Sequence, residues 1–194
     1  MKACKPIVLR NGQEIEIGQY ETSDIGALVN YLSALSAETR SRFGPHPFDK
    51  ETVSALYKYP SPFMGFIARI KGLQKIIAYA VLKVGLLDHD LNRLQQYDFQ
   101  PDPMHDFTFA PSVADAWQGT GAGTAVLNYI VDVLKHVEKP RLILWGGVQV
   151  SNHRAVWYYQ KNGFTTLGRF ENNGWNYDMA LEISNTSPEM DIIG

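Results

Sequence analysis

A glycine-rich segment, Gln118-Gly-Thr-Gly-Ala-Gly123, has the residue types and the spacing of a phosphate-binding turn. Its glycines lack the Cβ that would hold a ligand away from the backbone. A helix is expected to follow directly, and the first turn of a helix presents unpaired N–H groups and the positive end of the helix dipole. We therefore expect the segment to bind a phosphate or a pyrophosphate. The alternative is a tight strand-to-helix connection that binds no ligand.

Two common phosphate-binding motifs do not fit this segment. The loop of P-loop nucleotidases needs Gly-Lys followed by Ser or Thr, and the segment has no such lysine. The dinucleotide fingerprint spaces its glycines as G-x-G-x-x-G, and counting from Gly119 puts Thr124 at the third glycine position. No acidic residue at the end of the next expected strand completes that fingerprint.

The elements around the glycine segment follow the order strand, helix, strand, helix. Apolar residues predict strands over 107–113 and 142–148, and the second of these is an almost unbroken apolar run. Helical spacing of apolar residues predicts a helix over 121–137, and another is expected over about 152–162, with Gly163 placed to end it. A helix between two such strands predicts a parallel pair joined by a crossover connection.

The rest of the chain predicts further strands and helices of the same sheet. Strands are expected near 15–20, 63–70, 76–86, 164–170 and 176–183, and helices near 25–35, 36–42 and 49–57. Ser36 and Asp49 are the expected N-caps of the last two helices, and we expect 87–106 to form a long irregular loop. The expected fold class is α/β or α+β, with a mixed, mostly antiparallel sheet of about seven strands flanked by helices. Residues 1–183 would form one domain and 184–194 a loose polar tail.

The glycine segment resembles the coenzyme A signature of the GNAT superfamily of N-acetyltransferases. That signature, Q/R-x-x-G-x-G/A, is matched by Gln118, Gly121 and Gly123, and Val113 precedes it at the end of the expected strand. A second block is similar to the family's N-x-x-A-x-x-x-Y-x-x-x-G-F helix, with the residues Asn152, Ala155, Tyr159 and Gly163-Phe164. The resemblance covers roughly residues 107–183, and both blocks lie on the elements where the family has them.

The resemblance implies a GNAT fold that binds acetyl-coenzyme A where two parallel strands splay apart. It implies that the cofactor contacts the strand end, the glycine segment and the following helix, through Ser112, Val113, Gln118, Gly119, Thr120, Gly121, Ala122, Gly123, Asn152, Ala155 and Tyr159. The backbone amides of the glycine segment would bind the pyrophosphate, and the strand near Val113 would pair with the pantetheine arm. Asn152 would hold that arm from the other side.

Tyr159 is the catalytic residue that the resemblance implies, with its hydroxyl pointing at the thioester sulfur. In acetyl transfer a neutral amine attacks the thioester carbonyl, and a thiolate must leave. Tyrosine has a pKa of about 10 and a free thiol about 8.5, so Tyr159 is protonated at neutral pH and can donate as the sulfur gains charge. A backbone N–H near Val113 could stabilise the oxyanion. The alternative for Tyr159 is a packing aromatic, like the adjacent Trp157 and Tyr158.

Other candidates for the site have weaker support. His105 and Asp106 directly precede the strand at 107, where a general base could face the acceptor, although either could equally be a solvated loop residue, and a water relay would need neither. Arg42 and His46 flank a proline-rich turn that in the family borders the acceptor, so they could bind an anionic group or lie in a solvated turn. The family often has proline at the position of Asp115, whose charge could weaken pyrophosphate binding unless its side chain points away.

The composition argues against several classes of protein. The formal net charge of −2 gives no general attraction to nucleic acid or to an anionic membrane. The longest apolar stretch, 76–87, contains Lys83 and is well short of the roughly 20 residues of a membrane-spanning helix. The single cysteine, Cys4, fits a reducing compartment, and without a signal-like N-terminus we expect a cytoplasmic protein. Asp88-His89-Asp90 resembles a metal triad only in composition, so no metal is expected.

The leading hypothesis is an enzyme that transfers an acetyl group from acetyl-coenzyme A to a primary amine of a small molecule or a protein. A non-catalytic coenzyme A sensor on the same scaffold is the alternative, and a dinucleotide-dependent oxidoreductase is a weaker one. Dimers are common in the superfamily, so the resemblance leaves a homodimer open.

Overall fold

A mixed β-sheet organises residues 4–184, which are the residues that the computed structural model describes. Its strands are β1 (Lys5–Val8), β2 (Glu14–Gln19), β3 (Phe63–Ile70), β4 (Ile76–Val84), β5 (Asp106–Val113), β6 (Arg141–Leu144), β7 (Val148–Gln149), β8 (Thr165–Glu171) and β9 (Trp175–Glu182). The order in the sheet is β1-β2-β3-β4-β5-β6-β9-β7, and β8 also pairs with β9. Only the β5–β6 pairing is parallel among these strands. The predicted fold class is confirmed, with nine strands in the described residues instead of about seven.

Helices cover both faces of the sheet. They are α1 (Ile25–Ala34), α2 (Ala37–Arg42), α3 (Lys50–Leu56), α4 (Asp88–Leu94), α5 (Ala122–Leu134) and α6 (His153–Lys161). Leu28 of α1 and Leu94 of α4 pack on one face, which we call the α1 face. Ile130 of α5 and Phe164 after α6 pack on the other, the α5 face. Because both faces are covered, the first seven residues of β4 are all buried.

Side chains that the sequence predicts as N-caps begin two of the helices. The Ser36 hydroxyl accepts a hydrogen bond from the Thr39 N–H at 3.1 Å, and the Asp49 carboxylate accepts one from the Thr52 N–H at 2.8 Å. Each bond satisfies an N–H that the first turn of a helix leaves unpaired. Gly163 follows α6 with a φ of +88°, as expected for a residue that ends a helix. These local predictions are confirmed.

The prediction of a long irregular loop over 87–106 is wrong, because Asp88–Leu94 form α4. Arg93 on α4 donates to the Asp178 carboxylate on β9 through Nε at 2.7 Å and through Nη2 at 2.9 Å. It also donates to Asp90 at 2.7 Å. A helix of seven residues is too short to show a clear hydrophobic period, and the partner that anchors it lies 85 residues away in the sequence.

The strand expected over 142–148 is interrupted in its middle. β6 ends at Leu144, and Gly146 and Gly147 turn the chain with φ values of +64° and +71° before β7 begins. A Cβ on Gly147 would lie 2.6 Å from the backbone oxygen of Tyr177, so the close approach of the two backbones requires glycine. The unbroken apolar character of this stretch therefore conceals a change of direction.

The sheet also begins one strand earlier than the sequence predicts. β1 pairs with β2 at the sheet edge, and its side chains are mostly exposed, so it lacks the apolar alternation of a half-buried strand. The tail expected over 184–194 lies outside the described residues from 185 onward. Between residues 4 and 184, none of the helices has both the length and the apolar character that crossing a membrane requires.

A buried ion pair joins the first residues of β5 and β6. The fully buried Asp106 carboxylate accepts from Arg141 Nε at 2.6 Å and from Arg141 Nη2 at 3.0 Å. It also accepts from the backbone N–H of Asp102 at 2.7 Å. The Arg141 guanidinium lies over the Phe99 ring, 4.3 Å from its centroid. A carboxylate without access to water depends on such partners to remain charged.

Replacing Asp106→Ala should lower the free energy of unfolding by about 3 kcal/mol, because Arg141 then loses its carboxylate in a mostly buried setting. Urea denaturation measures this change. The control Asp132→Ala removes exposed ion pairs with Lys5 and Lys135 and should cost less than about 1 kcal/mol. Equal losses in the two variants would contradict a structural role for the Asp106–Arg141 pair.

Candidate functional site

The parallel strands β5 and β6 separate half-way along β5. Residues 106–109 pair with β6, and the last bond runs from the Trp145 N–H to the Phe109 carbonyl at 2.9 Å. Residues 110–113 continue to pair with β4 on their other edge, whereas β7 pairs with β9. One edge of β5 over 110–113 therefore faces a cleft instead of a neighbouring strand.

The register determines which backbone groups of β5 face this cleft. Successive residues of a strand direct their N–H and C=O groups to alternate edges. The Phe109 carbonyl accepts from β6, and the Ala114 N–H donates to Ile77 on the β4 side. The backbone groups of Pro111 and Val113, which alternate with these in step with Phe109, therefore face the cleft. Pro111 contributes only a carbonyl, because proline has no N–H. The Val113 N–H is the donor on this edge.

The glycine segment leads from the end of β5 to an open helix N-terminus. After the 3-10 turn Asp115–Trp117, Gly119 and Gly121 have φ values of +81° and +99°, a left-handed conformation that favours glycine. The N–H groups in the first turn of any α-helix have no partner within the helix. In the described chain, the N-cap residue of α5 is Gly121, and no side chain there accepts from these groups. A Cβ placed on Gly121 would have no described atom within 4 Å, apart from atoms of the residues next to Gly121 and of the backbone of α5, so the space beside it is open. The positive end of the 13-residue helix thus meets open space beside the β5 edge.

Gln118 connects the glycine segment to three other elements. Its Nε2 donates to the Val113 carbonyl at 3.2 Å and to the Thr39 hydroxyl of α2 at 3.3 Å. Its Oε1 accepts from Arg154 Nη1 of α6 at 2.8 Å. Arg154 Nη2 lies 3.4 Å from the position of a Cβ on Gly119. The guanidinium of Arg154 therefore lies beside the glycine segment. The sequence analysis missed this residue, although its position in the first turn of α6, close to the second motif block, could have indicated it.

Asp115 points away from this loop. Its carboxylate accepts from the Ser36 N–H at 3.0 Å, from the Ser36 hydroxyl at 2.7 Å and from the Thr39 hydroxyl at 2.6 Å. These hydrogen bonds stabilise the charged form and lower the pKa of Asp115 to about 2. The carboxylate therefore anchors the N-terminus of α2, and its charge is not directed at the open end of α5.

Helix α6 places the second block of motif residues against β5. Asn152 caps the helix, with Oδ1 accepting from the Ala155 N–H at 3.2 Å. The ring of Tyr159 is buried edge-on against Phe164, with centroids 5.2 Å apart, and Phe164 stacks on Phe109 of β5 at 6.3 Å. Burial raises the pKa of Tyr159 well above its ordinary value. The tyrosine therefore keeps its proton at neutral pH.

Tyr158 places a further hydroxyl at the site, and the sequence treated it only as a packing residue. Its oxygen is buried without a hydrogen-bond partner among the described residues. It lies 3.6 Å from the position of a Cβ on Gly123, beside the Val113 side chain. This buried hydroxyl lies next to the first turn of α5 and the end of β5. The open helix N-terminus and the free strand edge fit a long ligand that carries phosphate and amide groups.

Two predicted contact residues have side chains that are already bonded elsewhere. The Ser112 hydroxyl lies 2.9 Å from the Tyr31 hydroxyl and donates to the Tyr79 carbonyl on the α1 face. The Thr120 hydroxyl donates to the Trp117 carbonyl at 2.7 Å. Within the glycine segment, backbone amides are therefore the groups that Thr120 and Ala122 can offer.

Comparison with known proteins identifies the family. The sequence pattern of the acetyltransferase (GNAT) family matches residues 31–164, more than half of the 194-residue chain. The chain belongs to the GNAT acetyltransferase family. No curated protein matches the sequence.

Solved GNAT structures share the fold of the chain. The GNAT domain of S. lividans PAT is 20% identical with a TM-score of 0.71, over 92% of this chain and 96% of that one. The putative acetyltransferase yncA from Salmonella typhimurium, with its cofactor acetyl-CoA, is 15% identical with a TM-score of 0.63, over 88% and 94%. The ribosomal-protein-S18-alanine N-acetyltransferase from Escherichia coli is 21% identical with a TM-score of 0.57, over 91% and 98%. At these identities the likeness concerns the fold.

In this GNAT chain the two candidate bases lie away from the cleft. Asp106 begins β5, and the edge that faces the cleft starts four residues later at Ala110, about 13 Å away at about 3.3 Å per residue. The Asp106 carboxylate is bound by Arg141, and His105 Nδ1 lies 2.6 Å from the Asp102 carboxylate. The expectation that His105 and Asp106 face the acceptor therefore needs correction, since neither is placed to take a proton at the cleft.

The two candidate acceptor-binding residues differ in their surroundings. Arg42 pairs with Glu38 at 2.8 Å on the exposed side of α2. His46 is buried, and its Nδ1 must donate to the Pro47 carbonyl at 2.7 Å, so Nε2 accepts from the Tyr79 hydroxyl at 3.0 Å. Burial lowers the pKa of His46, which makes it neutral at pH 7. His46 therefore packs in the α1 face, whereas Arg42 pairs with Glu38 at the surface.

The residues Asp88-His89-Asp90, considered above as a metal triad, form the first turn of α4. The Asp90 carboxylate binds Arg93 and accepts from the Gly146 N–H at 3.3 Å, next to the break between β6 and β7. Over residues 4–184, no group of three His, Cys, Asp or Glu side chains is placed to hold a metal ion. Asp90 instead helps to hold the strand break.

The variant Asp115→Asn should lower the free energy of unfolding by about 1 kcal/mol at pH 7, a value reduced for solvent screening, because it weakens the anchor of α2. The folded pKa of about 2 lies below the unfolded value of about 3.9. The charge therefore stabilises the fold above about pH 4, and this stabilisation is lost as the pH falls towards 2. Urea denaturation at pH 7 and pH 3 should show a smaller difference from wild type at pH 3. A difference that grows in acid would contradict this account.

Proposed function

We propose that this GNAT chain transfers an acetyl group from acetyl-coenzyme A to a primary amine of a small molecule or a protein. The observation that carries the proposal is the open N-terminus of α5 beside the free edge of β5. The first binds phosphate groups, and the second pairs with an extended chain that contains amides. Coenzyme A joins a pyrophosphate to an arm with two amides, and the acetyl-CoA named with the Salmonella relative supports the same ligand here.

The chain's own groups divide the binding of this ligand. The N–H groups of the glycine segment and of the first turn of α5 would bind the pyrophosphate, and the Arg154 guanidinium would add a positive charge that Gln118 does not carry. The Val113 N–H and the Pro111 carbonyl would pair with the amides of the arm. Acetyl-coenzyme A, when bound, supplies an activated acetyl thioester.

Tyr159 is the proton donor in this proposal. Its ring is fixed by Phe164, which in turn packs on Phe109, the last residue of β5 that pairs with β6. Because burial raises its pKa, the Tyr159 hydroxyl holds its proton while the amine acceptor is neutral. It can then donate a hydrogen bond as negative charge develops on a leaving sulfur.

The acceptor amine would approach from the α1 face. On the α1 face, the half-buried Trp145 lies at the strand separation and stacks on Phe63, with centroids 6.1 Å apart. Since His105 and Asp106 lie at the far end of β5, we propose that water takes the proton from the amine. The S18-alanine relative supports a protein amine as one acceptor class beside small molecules.

Acetyl-coenzyme A should raise the midpoint of thermal unfolding. A ligand at about a hundredfold over its dissociation constant stabilises the folded state by about 2.7 kcal/mol, which is a shift of several degrees for a domain of this size. Differential scanning fluorimetry with NAD and ATP as controls measures the effect. A shift with NAD alone would mean that the glycine segment binds a dinucleotide and would remove the support for acetyl transfer.

The variant Tyr159→Phe should lower kcat by about a hundredfold or more and leave the dissociation constant of coenzyme A within about twofold, because it removes only the proton donor. Thiol release with a panel of amines measures turnover, and calorimetry measures affinity. Tyr129→Phe is the control, since Tyr129 packs on Phe66 away from the cleft. Full turnover in Tyr159→Phe would exclude the assigned role. Binding without thiol release in the wild type would instead favour a sensor.

A further inference from the structure

The hydroxyl of Tyr158 is unusual within residues 4–184. It is the one buried side-chain oxygen or nitrogen in that part of the chain that has no hydrogen-bond partner. The ring packs in the core of the α5 face and lies edge-on to Tyr159, with centroids 5.2 Å apart. A buried hydroxyl without a partner destabilises a fold, and a phenylalanine would fill the same space without that cost. A hydrogen-bond partner from outside the described residues would therefore stabilise this hydroxyl.

The position of this hydroxyl indicates where such a partner would lie. A Cβ on Gly123 would be 3.6 Å from Tyr158 Oη and 3.3 Å from Cγ2 of Val113. Gly123 is the second residue of α5, whose N–H groups are among those without a helical partner, and Val113 ends β5. The hydroxyl thus lies at the corner where the phosphate-binding turn meets the free strand edge.

The lack of a side chain at Gly123 matters for access to this corner. An alanine there would place a methyl group directly against the hydroxyl and the Val113 side chain. With glycine, no side chain of the first turn of α5 lies between its backbone and the oxygen at this position. A small displacement of that turn would expose the hydroxyl to a ligand that is already held by the neighbouring N–H groups.

We propose that Tyr158 is a cofactor-positioning residue, whose hydroxyl donates a hydrogen bond to an oxygen of bound coenzyme A at the corner between the helix N-terminus and the β5 edge. The inference rests on the proposed function, because it takes coenzyme A as the ligand. It assigns Tyr158 a role separate from that of Tyr159, which acts at the sulfur. Binding would satisfy a donor that has no partner in the free protein, and this gain would add to the affinity.

The test compares Tyr158→Phe with wild type in two measurements. Isothermal titration calorimetry with coenzyme A should show a dissociation constant about five- to twentyfold higher in the variant, the loss expected for one hydrogen bond from a hydroxyl. Thermal unfolding of the free variant should have a midpoint equal to or above that of wild type, because the variant removes an unsatisfied hydroxyl. A residue with a merely structural role would show the opposite change in the free protein.

Tyr129→Phe serves as the matched control, since it removes a tyrosine hydroxyl from the same face of the sheet without touching the glycine segment. It should leave the affinity for coenzyme A unchanged. Equal affinity of wild type and Tyr158→Phe would overturn the inference and leave the proposed function standing. A lower unfolding midpoint of free Tyr158→Phe would overturn it as well, because the hydroxyl would then have a partner in the free protein. Failure of the wild type to bind coenzyme A would remove the proposed function itself.

Discussion

Parallel strands hold each other through backbone hydrogen bonds, and β5 loses those bonds after Phe109 because β6 turns away at Gly146 and Gly147. The backbone of Gly147 approaches Tyr177 so closely that no side chain fits. From this turn follow the free edge of β5, the cleft and the position of β7 on β9. Helix α6 follows β7 and packs Tyr159 against Phe164, which stacks on Phe109 of β5. The apolar core supports these elements, but the interruption of one strand pairing creates the site.

Polar interactions between distant segments hold the two sides of that interruption. At the turn after β6, Asp90 accepts from the Gly146 N–H, and Arg93 joins Asp90 to Asp178 of β9, so helix α4 is tied to the turn that opens the cleft. At the end of β5, Asp115 and Gln118 tie the glycine segment to α2 and α6. The carboxylates at both places are paired within the protein, which leaves the open helix end and Arg154 to set the charge that a ligand meets at the loop.

The sequence predicted the parts of the site that depend on local requirements. The glycine segment and the capped helix after Asn152 depend on backbone conformation and on hydrogen bonds between near neighbours, so their residue types reveal them. Helix α4, the direction of Asp115 and the burial of Asp106 depend on partners at long sequence separations, and no local pattern contains that information. A signal for the strand separation was nonetheless present, since Pro111 in an apparently central strand indicates an edge without a hydrogen-bonding neighbour.

That proline also bears on whether another chain could add a strand to this edge. An unpaired strand edge is a template on which another chain can add a strand, and edges of this kind promote aggregation. Here the edge is only four residues long, lies between a helix N-terminus and α6, and lacks one donor at Pro111. A small flexible molecule can enter and bond to it, whereas a second polypeptide would find neither the length nor the complete set of donors that continuous strand addition needs. The unpaired edge of β5, which lies within the sheet, is therefore much less prone to aggregation by strand addition than an unpaired edge at the border of the sheet would be.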